Sequence, residues 1–580
     1  FFNLCKTNVR VPQCSPSLPA MRTCAQPQSH LRRALLPVGV LLALMFCCCI
    51  FCPPSGVLAN ECPLTSVSAA QLLHLAGAVP RKVLFVVPPM QSHVNMALAV
   101  AQRMRDVFQH DVGFVSSLEQ TRLLVQDQHQ FRFFDLGEEA FASEIEYQSQ
   151  SASRCMNSDP VRRFLDLGRR LRSYYVPTHA ACQRWFAEER PDLVVVDFFL
   201  QAAVDVATDM NINFVVFGGQ DMQAMPTYMP LYLTSHSFRE GRSLMARLHE
   251  VYVLAQLIPP FLLHMSELND IRAQHGHVAL FGSAPWKDHL LIFASPIGLL
   301  EYPQPFPANQ RIVSFVIPSA SEAAALSAAD AELLDWIDEQ HRVVYVSFGS
   351  KGSPCPHEVE SMILGALQNP NTSVLVSTRT VLDVTRFPDE RVRIESWVNQ
   401  RAVLNHTKVG VFISHGGLSS IAETVESATP LLVYPLFGDQ PGNAARAYDS
   451  GFALKVDRAR ETISVEVFSE RIASLFDDPS YLERIKEVRA VSMLKDGALE
   501  AAIAIEEVLR AGNRHLRDPG DQLSMLQRTN LDLRAVLVLL SLLSCYTLWR
   551  ASKLVVFLVR RLFAYLVTAS ASDESKTKLQ

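Results

Sequence analysis

"VGVFISHGGLSSIAE", residues 409–423, is the stretch on which the fold turns. Six residues, nearly all apolar, give way to a histidine and two glycines, then to two serines and, one turn later, a glutamate. An apolar run of that length without alternation predicts a strand buried on both faces, and the residues after it predict a helix start. Strand, glycine turn and helix form the unit of a doubly wound α/β sheet. Such sheets bind ligands beyond the carboxyl ends of their strands, where helix N-termini present free amides. Gly416 and Gly417 let a phosphate approach the backbone, while Ser419, Ser420 and His415 offer donors. Glu423 can accept from adjacent hydroxyls such as those of a ribose. Taken alone, the stretch also reads as a glycine turn with a serine cap.

The same rhythm extends in both directions. Upstream, "KVLFVVP", "DVGFVSS", "FRFFDLG", "DLVVVDF" and "NFVVFGG" alternate with amphipathic stretches before residue 220, and "HLLIFASP" and "RIVSFVIP" follow after a break. A Ser/Ala-rich stretch at 318–332 reads as a linker, after which "RVVYVSFGS", "SVLVST", "RVRIESW" and "LLVYPL" begin a second series. Two doubly wound, Rossmann-like α/β lobes are expected: an N-terminal lobe over 60–317 and a C-terminal lobe over 333–510. Residues 236–285 break the rhythm with Met, His and aromatic side chains in expected helices.

The chain has 580 residues and is about half hydrophobic, too much for one core. Its formal net charge of −5 offers no basic field for nucleic acid. Apolar residues concentrate at 34–52 and 535–549. The first block follows Arg32 and Arg33 and precedes Val57 and Ala59, the pattern of a secretory signal cleaved after Ala59. An uncleaved anchor helix is the alternative, and Met21 is a plausible start that leaves 1–20 as upstream sequence. The second block predicts a single membrane span over 534–559, reached through a connector at 511–533. Arg550, Lys553, Arg560 and Arg561 place the 560–580 tail in the cytoplasm and the lobes in the lumen. Lys576 and Lys578, fifth and third from the end, resemble an endoplasmic-reticulum retrieval pair. With these segments set aside, Cys62, Cys155, Cys182 and Cys355 remain, without metal-ligand spacing. Asn371 and Asn405 begin glycosylation sequons.

Trp397, Gln400 and Leu404 precede the opening stretch, and "PLLVYPLFGDQPGN" (430–443) follows it. From Trp397 to Asn443, without a gap, the run resembles the donor-binding signature of the uridine-diphosphate-sugar glycosyltransferases, a family that includes membrane-bound glucuronosyltransferases. The resemblance implies the two-lobe GT-B fold and a UDP-sugar co-substrate. It further implies that Trp397 stacks on uracil, that Gln400 lies beside base and ribose, and that Glu423 holds the ribose. His415, Ser419 and Ser420 would face the diphosphate, with Ser350 brought toward it, and Asp439 and Gln440 would face the sugar. The chain departs from the pattern at Asn399 (usually proline), at Leu418 (Trp in plant members), at Ser419 (often Asn) and at 427–430, which leaves the sugar contacts open.

In the first lobe, "FVVPPMQSHVNMALAVAQRM" (85–104) sets His93 just after the first strand. In the resembling family this position is the general base, and imidazole suits the task because its ordinary pKa lies near neutral. Asp197, at the end of "DLVVVD", holds the position of the family's second catalytic residue, where it would orient the ring. Asp205 is the weaker candidate. The mechanism implied is direct displacement with inversion. No Asp-x-Asp pair occurs, and no metal or other cofactor is expected. The expected partners are the UDP-sugar, a small lipophilic hydroxyl acceptor and membrane lipid; self-association is compatible, and nucleic acid is not expected. Met222, Tyr228, Tyr232 and Phe238 fit an acceptor pocket no better than ordinary core. Glucose, glucuronate and N-acetylglucosamine are left undistinguished, as are a lipid-linked sugar transferase and a catalytically silent binding subunit.

Overall fold

The apolar runs do become parallel strands. In the computed structural model the described residues run from 79 to 577, except 138–140, 143–159, 220–228, 240–242, 281–285, 319–327, 350–351, 388–389, 459, 519 and 521–522. The expected signal segment, Cys62, Cys155, Met222, Tyr228, Ser350 and Lys578, together with most of the expected linker, lie outside them.

The first sheet contains β1 (Lys82–Val86), β2 (Asp111–Ser116), β3 (Arg132–Asp135), β4 (Leu193–Asp197), β5 (Asn213–Gly218), β6 (Leu291–Phe293) and β7 (Gln310–Ile312), ordered 3-2-1-4-5-6-7. The second contains β8 (Arg342–Ser347), β9 (Thr372–Ser377), β10 (Val392–Glu395), β11 (Val409–Ser414), β12 (Leu431–Val433) and β13 (Ala453–Lys455), ordered 10-9-8-11-12-13. Every pairing is parallel, and each order reverses once, between β1 and β4 in one sheet and between β8 and β11 in the other. Diverging helix connections open a crevice at such a reversal. His93 and Asp197 stand at the first reversal, and the glycine turn after β11 at the second.

Strand side chains alternate between faces, so each sheet carries two cores. Val83, Phe85 and Val195 pack against α1 (Gln91–Asp106), whereas Leu84, Val86, Val194 and Val196 meet α3 (Tyr175–Glu189) and α4 (Gln201–Asp209). Ahead of α3 runs α2 (Pro160–Ser173), and α5 (Leu244–Gln274) is one long helix where several were expected. The second sheet lies between α6 (Ala328–Glu339), α7 (Pro356–Leu367), α8 (Gln400–Leu404), α9 (Leu418–Ser427), α10 (Gln440–Ser450), α11 (Val465–Asp477) and α12 (Pro479–Ser492).

One boundary differs from the sequence reading. Helix α13 (Gly497–Ala511), expected in the second lobe, packs into the core of the first through Ala498, Ala501, Ala502, Ile505 and Val508. Gly497 is required because a Cβ there would lie 2.3 Å from the Ser314 carbonyl oxygen. A buried pair between His110 Nε2 and Glu506 Oε2 (2.7 Å) and an Arg103–Asp496 bond (2.8 Å) fix the helix on α1. Alanine-rich apolar patterning marks such a helix without telling which sheet it covers. The last helix, α14 (Leu531–Thr577), also exceeds the expected span: its apolar portion covers Leu531–Leu566, continuing through Arg550 and Lys553. Lys553 Nζ lies 3.9 Å from the Trp549 ring centre, which helps an apolar helix carry the charge.

Candidate active site

Helix α1 begins directly after β1, so His93, its third residue, faces the crevice at the carboxyl edge of the sheet. Asp197 closes β4, the neighbouring strand, one residue beyond the Val86–Val196 pairing. The His93 Nδ1 and Asp197 Oδ2 atoms are 2.7 Å apart. The other carboxylate oxygen accepts the Phe199 backbone N–H at 3.0 Å, which fixes the rotamer of a side chain only 3% exposed. With Nδ1 turned to the carboxylate, Nε2 is the ring nitrogen free to meet a substrate. The Phe199 ring, 5.3 Å from the imidazole, forms an apolar wall.

Asp205 is engaged elsewhere. Its oxygens accept from Arg272 Nε and Nη2 (2.8 and 2.9 Å) and from the Tyr175 hydroxyl (2.7 Å), all buried. That network ties α5 to α3 and α4 and leaves Asp197 as the dyad's acid.

On the facing lobe, the opening stretch is a tight cradle. Gly416 has φ +80°, and a Cβ there would stand 2.5 Å from Val433 Cγ1, so both backbone and space demand glycine. The His415 ring packs between two further glycines: a Cβ on Gly349 would meet it at 3.0 Å and one on Gly417 at 2.5 Å. Burial lowers the His415 pKa to about 4, so at neutral pH the ring is an uncharged donor. Helix α9 starts at Gly417 with no side-chain cap, leaving its first amides to serve an anion beside Ser419 and Ser420. Asn443 Nδ2 donates to the Gly416 carbonyl at 2.9 Å and to Asp439 at 2.8 Å, locking the turn to α10.

Trp397 is 66% exposed and lines the cleft, a flat ring available for stacking. Gln400 donates to Glu423 at 2.6 Å and accepts from the Tyr345 hydroxyl at 3.2 Å. Burial raises the Glu423 carboxyl above its usual range, with the Gln400 bond opposing the shift. Burial likewise raises Asp439, with the Asn443 bond and the nearby His93 ring working the other way. His93 and Asp439, from the two lobes, line the same cleft. The Gln440 carbonyl oxygen is committed to the backbone N–H groups of Leu436 and Phe437 (2.8 and 2.9 Å), so its NH2 is the part left for a ligand. Its main effect is to hold the loop that presents Asp439.

Two departures from the family pattern acquire a physical role. Asn399 accepts from the Ala402 N–H (3.2 Å), capping α8 where a proline would preset the turn. Leu418 packs with the cores of both lobes and would touch a Cβ added to Gly219 at 3.2 Å, so it bridges the lobes.

The lobes are clamped beside the cleft. Arg446, fully buried in α10, bonds Glu301 at 3.2 Å and stacks on Tyr232 at 3.6 Å, and the Gly442 N–H donates to the Tyr232 carbonyl at 2.7 Å. The Phe238 backbone N–H donates to Asp449 Oδ2 of α10 at 2.7 Å. Tyr232 and Phe238 therefore serve the lobe junction. Between the lobes lies a cleft of about 2200 Å³ that contains His93, Trp397, Gln400, His415, Gly417, Ser419, Ser420, Glu423, Asp439 and Gln440 along its walls. Sequence reading missed its apolar side, formed by Met90, Tyr174, Phe199, Tyr252, Phe261 and Trp286, and also Arg379 near Trp397. No spacing marks these residues, which come from separate helices and loops.

Comparison with known proteins agrees with this arrangement. Residues 286–565 match the family described as UDP-glucoronosyl and UDP-glucosyl transferase. The UDP-glycosyltransferase stmC of Aspergillus ustus is 26% identical over 404 residues, 60% of this chain and 74% of that one. The 2-hydroxyacylsphingosine 1-beta-galactosyltransferase of Homo sapiens is 23% identical over 384 residues, 63% and 68% of the two chains. Among solved structures, the glycotransferase of kitacinnamycin superposes with a TM-score of 0.55 at 19% identity, over 74% of this chain and 100% of that one. The likeness in fold is to GT-B glycosyltransferases.

Proposed function

The chain carries a UDP-glucuronosyl and UDP-glucosyl transferase domain and is a UDP-glycosyltransferase; on that premise we propose that it transfers a hexose, with inversion, to the hydroxyl of a small lipophilic acceptor. The observation that carries the reading is the 2.7 Å His93–Asp197 pair, set at one sheet's reversal and facing the glycine turn of the other across a single cleft.

His93 Nε2 takes the acceptor proton while Nδ1–H donates to Asp197, whose carboxylate steadies the imidazolium formed. The freed oxygen pair attacks the anomeric carbon, and the bond to the diphosphate breaks with its electrons leaving on UDP. That departing charge meets the α9 amides, the Ser419 and Ser420 hydroxyls and the neutral His415 donor. Trp397 would hold the uracil, Gln400 and Glu423 the ribose, and Asp439 the sugar hydroxyls. Ser350 belongs to the same donor set by its position after β8. Because dipole and hydroxyl donors receive the leaving group, the proposal includes no metal.

The apolar side of the cleft and the wholly exposed apolar helix at Leu531–Leu566 support a lipophilic acceptor and a membrane anchor. A luminal endoplasmic-reticulum setting, with a cytoplasmic tail, agrees with the basic cluster after Arg550 and with Cys355 being disulfide-bonded. The test is UDP release by the full chain across a panel of UDP-sugars and hydroxyl acceptors. Acceptor-dependent release, abolished in His93→Ala, is expected; UDP binding without release from any pair would overturn the enzyme reading.

A further inference from the structure

Helix α5 forms part of the cleft wall, yet among the described residues most of the side chains in its first twenty positions are exposed. Its buried positions follow one narrow seam, Glu250, Val253, Leu257, Pro260, Leu268 and Arg272. Around the rest of its first twenty residues most exposed side chains are large and apolar, including Leu248, Val251, Leu254, Ile258 and Leu263, each 46–63% exposed, with Arg247, His249 and Gln256 as the exposed polar ones. From 251 to 263 (VYVLAQLIPPFLL) there is no charged residue. Outside the C-terminal helix, the other exposed large apolar residues, such as Met493 and Leu494 after α12, are scattered along the chain and not gathered on one long uncharged run. An uncharged apolar face of this size is unfavourable in water and marks a contact.

Resting on the proposed acceptor reading, we infer that the outer face of α5 lies in the surface leaflet of the bilayer and opens the acceptor side of the cleft directly to lipid. Three observations select lipid over a protein partner. The same chain carries a second long apolar helix, Leu531–Leu566, none of it buried, which holds the body against a bilayer. From Val251 to Leu263 every exposed side chain of α5 except Gln256 is apolar or aromatic, whereas a docking protein requires a defined stripe with a polar rim. Finally, Tyr252, Phe261 and Leu262 are both outward-exposed and part of the cleft wall, so the two apolar surfaces are continuous. The acceptor class implied is one that partitions into the leaflet with its hydroxyl at the interface and reaches His93 without crossing water.

The experiment uses the full chain in phosphatidylcholine vesicles containing a phospholipid with a diazirine on its acyl chain. After illumination, peptides from 244–263 should carry lipid, as peptides from 535–549 do, and the peptide with Met493 and Leu494 should not. The double variant Val251→Glu/Ile258→Glu, altered at positions outside the cleft wall, should lose at least five-fold in labelling. It should also raise KM at least ten-fold for a long-chain phenol presented in vesicles while leaving KM for a water-soluble phenol and UDP affinity unchanged. The milder Val251→Ser/Ile258→Ser should show the same pattern in weaker form. Labelling of 535–549 without 244–263, or crosslinks joining α5 of two copies, would overturn the inference. Absence of UDP release from any acceptor would instead strike the proposed reaction, leaving the labelling result to stand by itself.

Discussion

The two sides of the cleft are built by opposite means. The donor side is local: one turn, one helix start and a loop, crowded so tightly that Gly349, Gly416 and Gly417 admit no Cβ without displacement. The acceptor side is assembled from α1, α3, α5 and separate loops, with apolar surface in place of fixed donors and half its helix wall facing outward. On the proposed reading, one half would recognise a constant group by fixed hydrogen bonds, while the other would accommodate a variable one by burial.

The largest effect should come from breaking the step that joins the halves. His93→Ala is expected to lower kcat by about a thousandfold with UDP affinity unchanged, since general-base catalysis typically contributes 10²–10⁴. Equal loss of UDP binding in calorimetry would show that His93 belongs to the donor half as well. Next, Glu423→Ala should weaken UDP-sugar binding by about 1.5–3 kcal/mol, the range for hydrogen bonds to a charged group, with a smaller change in kcat. A kcat effect larger than the binding effect would blur the division.

Gly416→Ala and Gly276→Ala share a positive φ, +80° and +86°, but only the first would crowd a neighbour. Thermal unfolding should show Gly276→Ala costing about 1 kcal/mol and Gly416→Ala clearly more, with UDP binding lost only in the latter. Parity would mean that the cradle is looser than its contacts indicate.

The smallest effect concerns pH. His415 has a folded pKa of about 4, below its unfolded value near 6.5, so the unfolded chain binds the extra proton between those limits. Its contribution to stability is complete above pH 6.5 and falls as pH drops toward 4. His415→Gln should flatten that part of a melting-temperature profile; an unchanged slope would assign it to other groups, with His289, also lowered to about 4 by burial, the first to examine.

Much of the donor half was legible because its chemistry is written in consecutive residues: a strand, a glycine pair and hydroxyls at the next helix start. His93 and Asp197 were legible for a related reason, each standing at a strand end. What escaped was anything decided by long-range packing. The loop-holding bonds of Gln440 are one case, since nothing in "GDQPG" reveals that its carbonyl oxygen faces two backbone amides. The length of α5 escaped too, one helix running through Pro259 and Pro260 where the sequence suggested several. The allegiance of α13 was hidden because an apolar stripe specifies burial without naming the surface that supplies it.

That allegiance bears on how a soluble form can be cut. Because the chain leaves the first lobe near Pro318 and returns to it at Gly497, the second lobe is an insertion, and the C-terminal apolar helix follows from the first. Ending the chain at Ser492, the last residue of α12, would strip α13 from the β1–β4 face and leave Val83, Phe85 and the apolar side of α1 uncovered. Cutting between Leu516 and Leu531 keeps both cores whole, so the usable border lies beyond the 510 that the sequence reading set as the end of the second lobe.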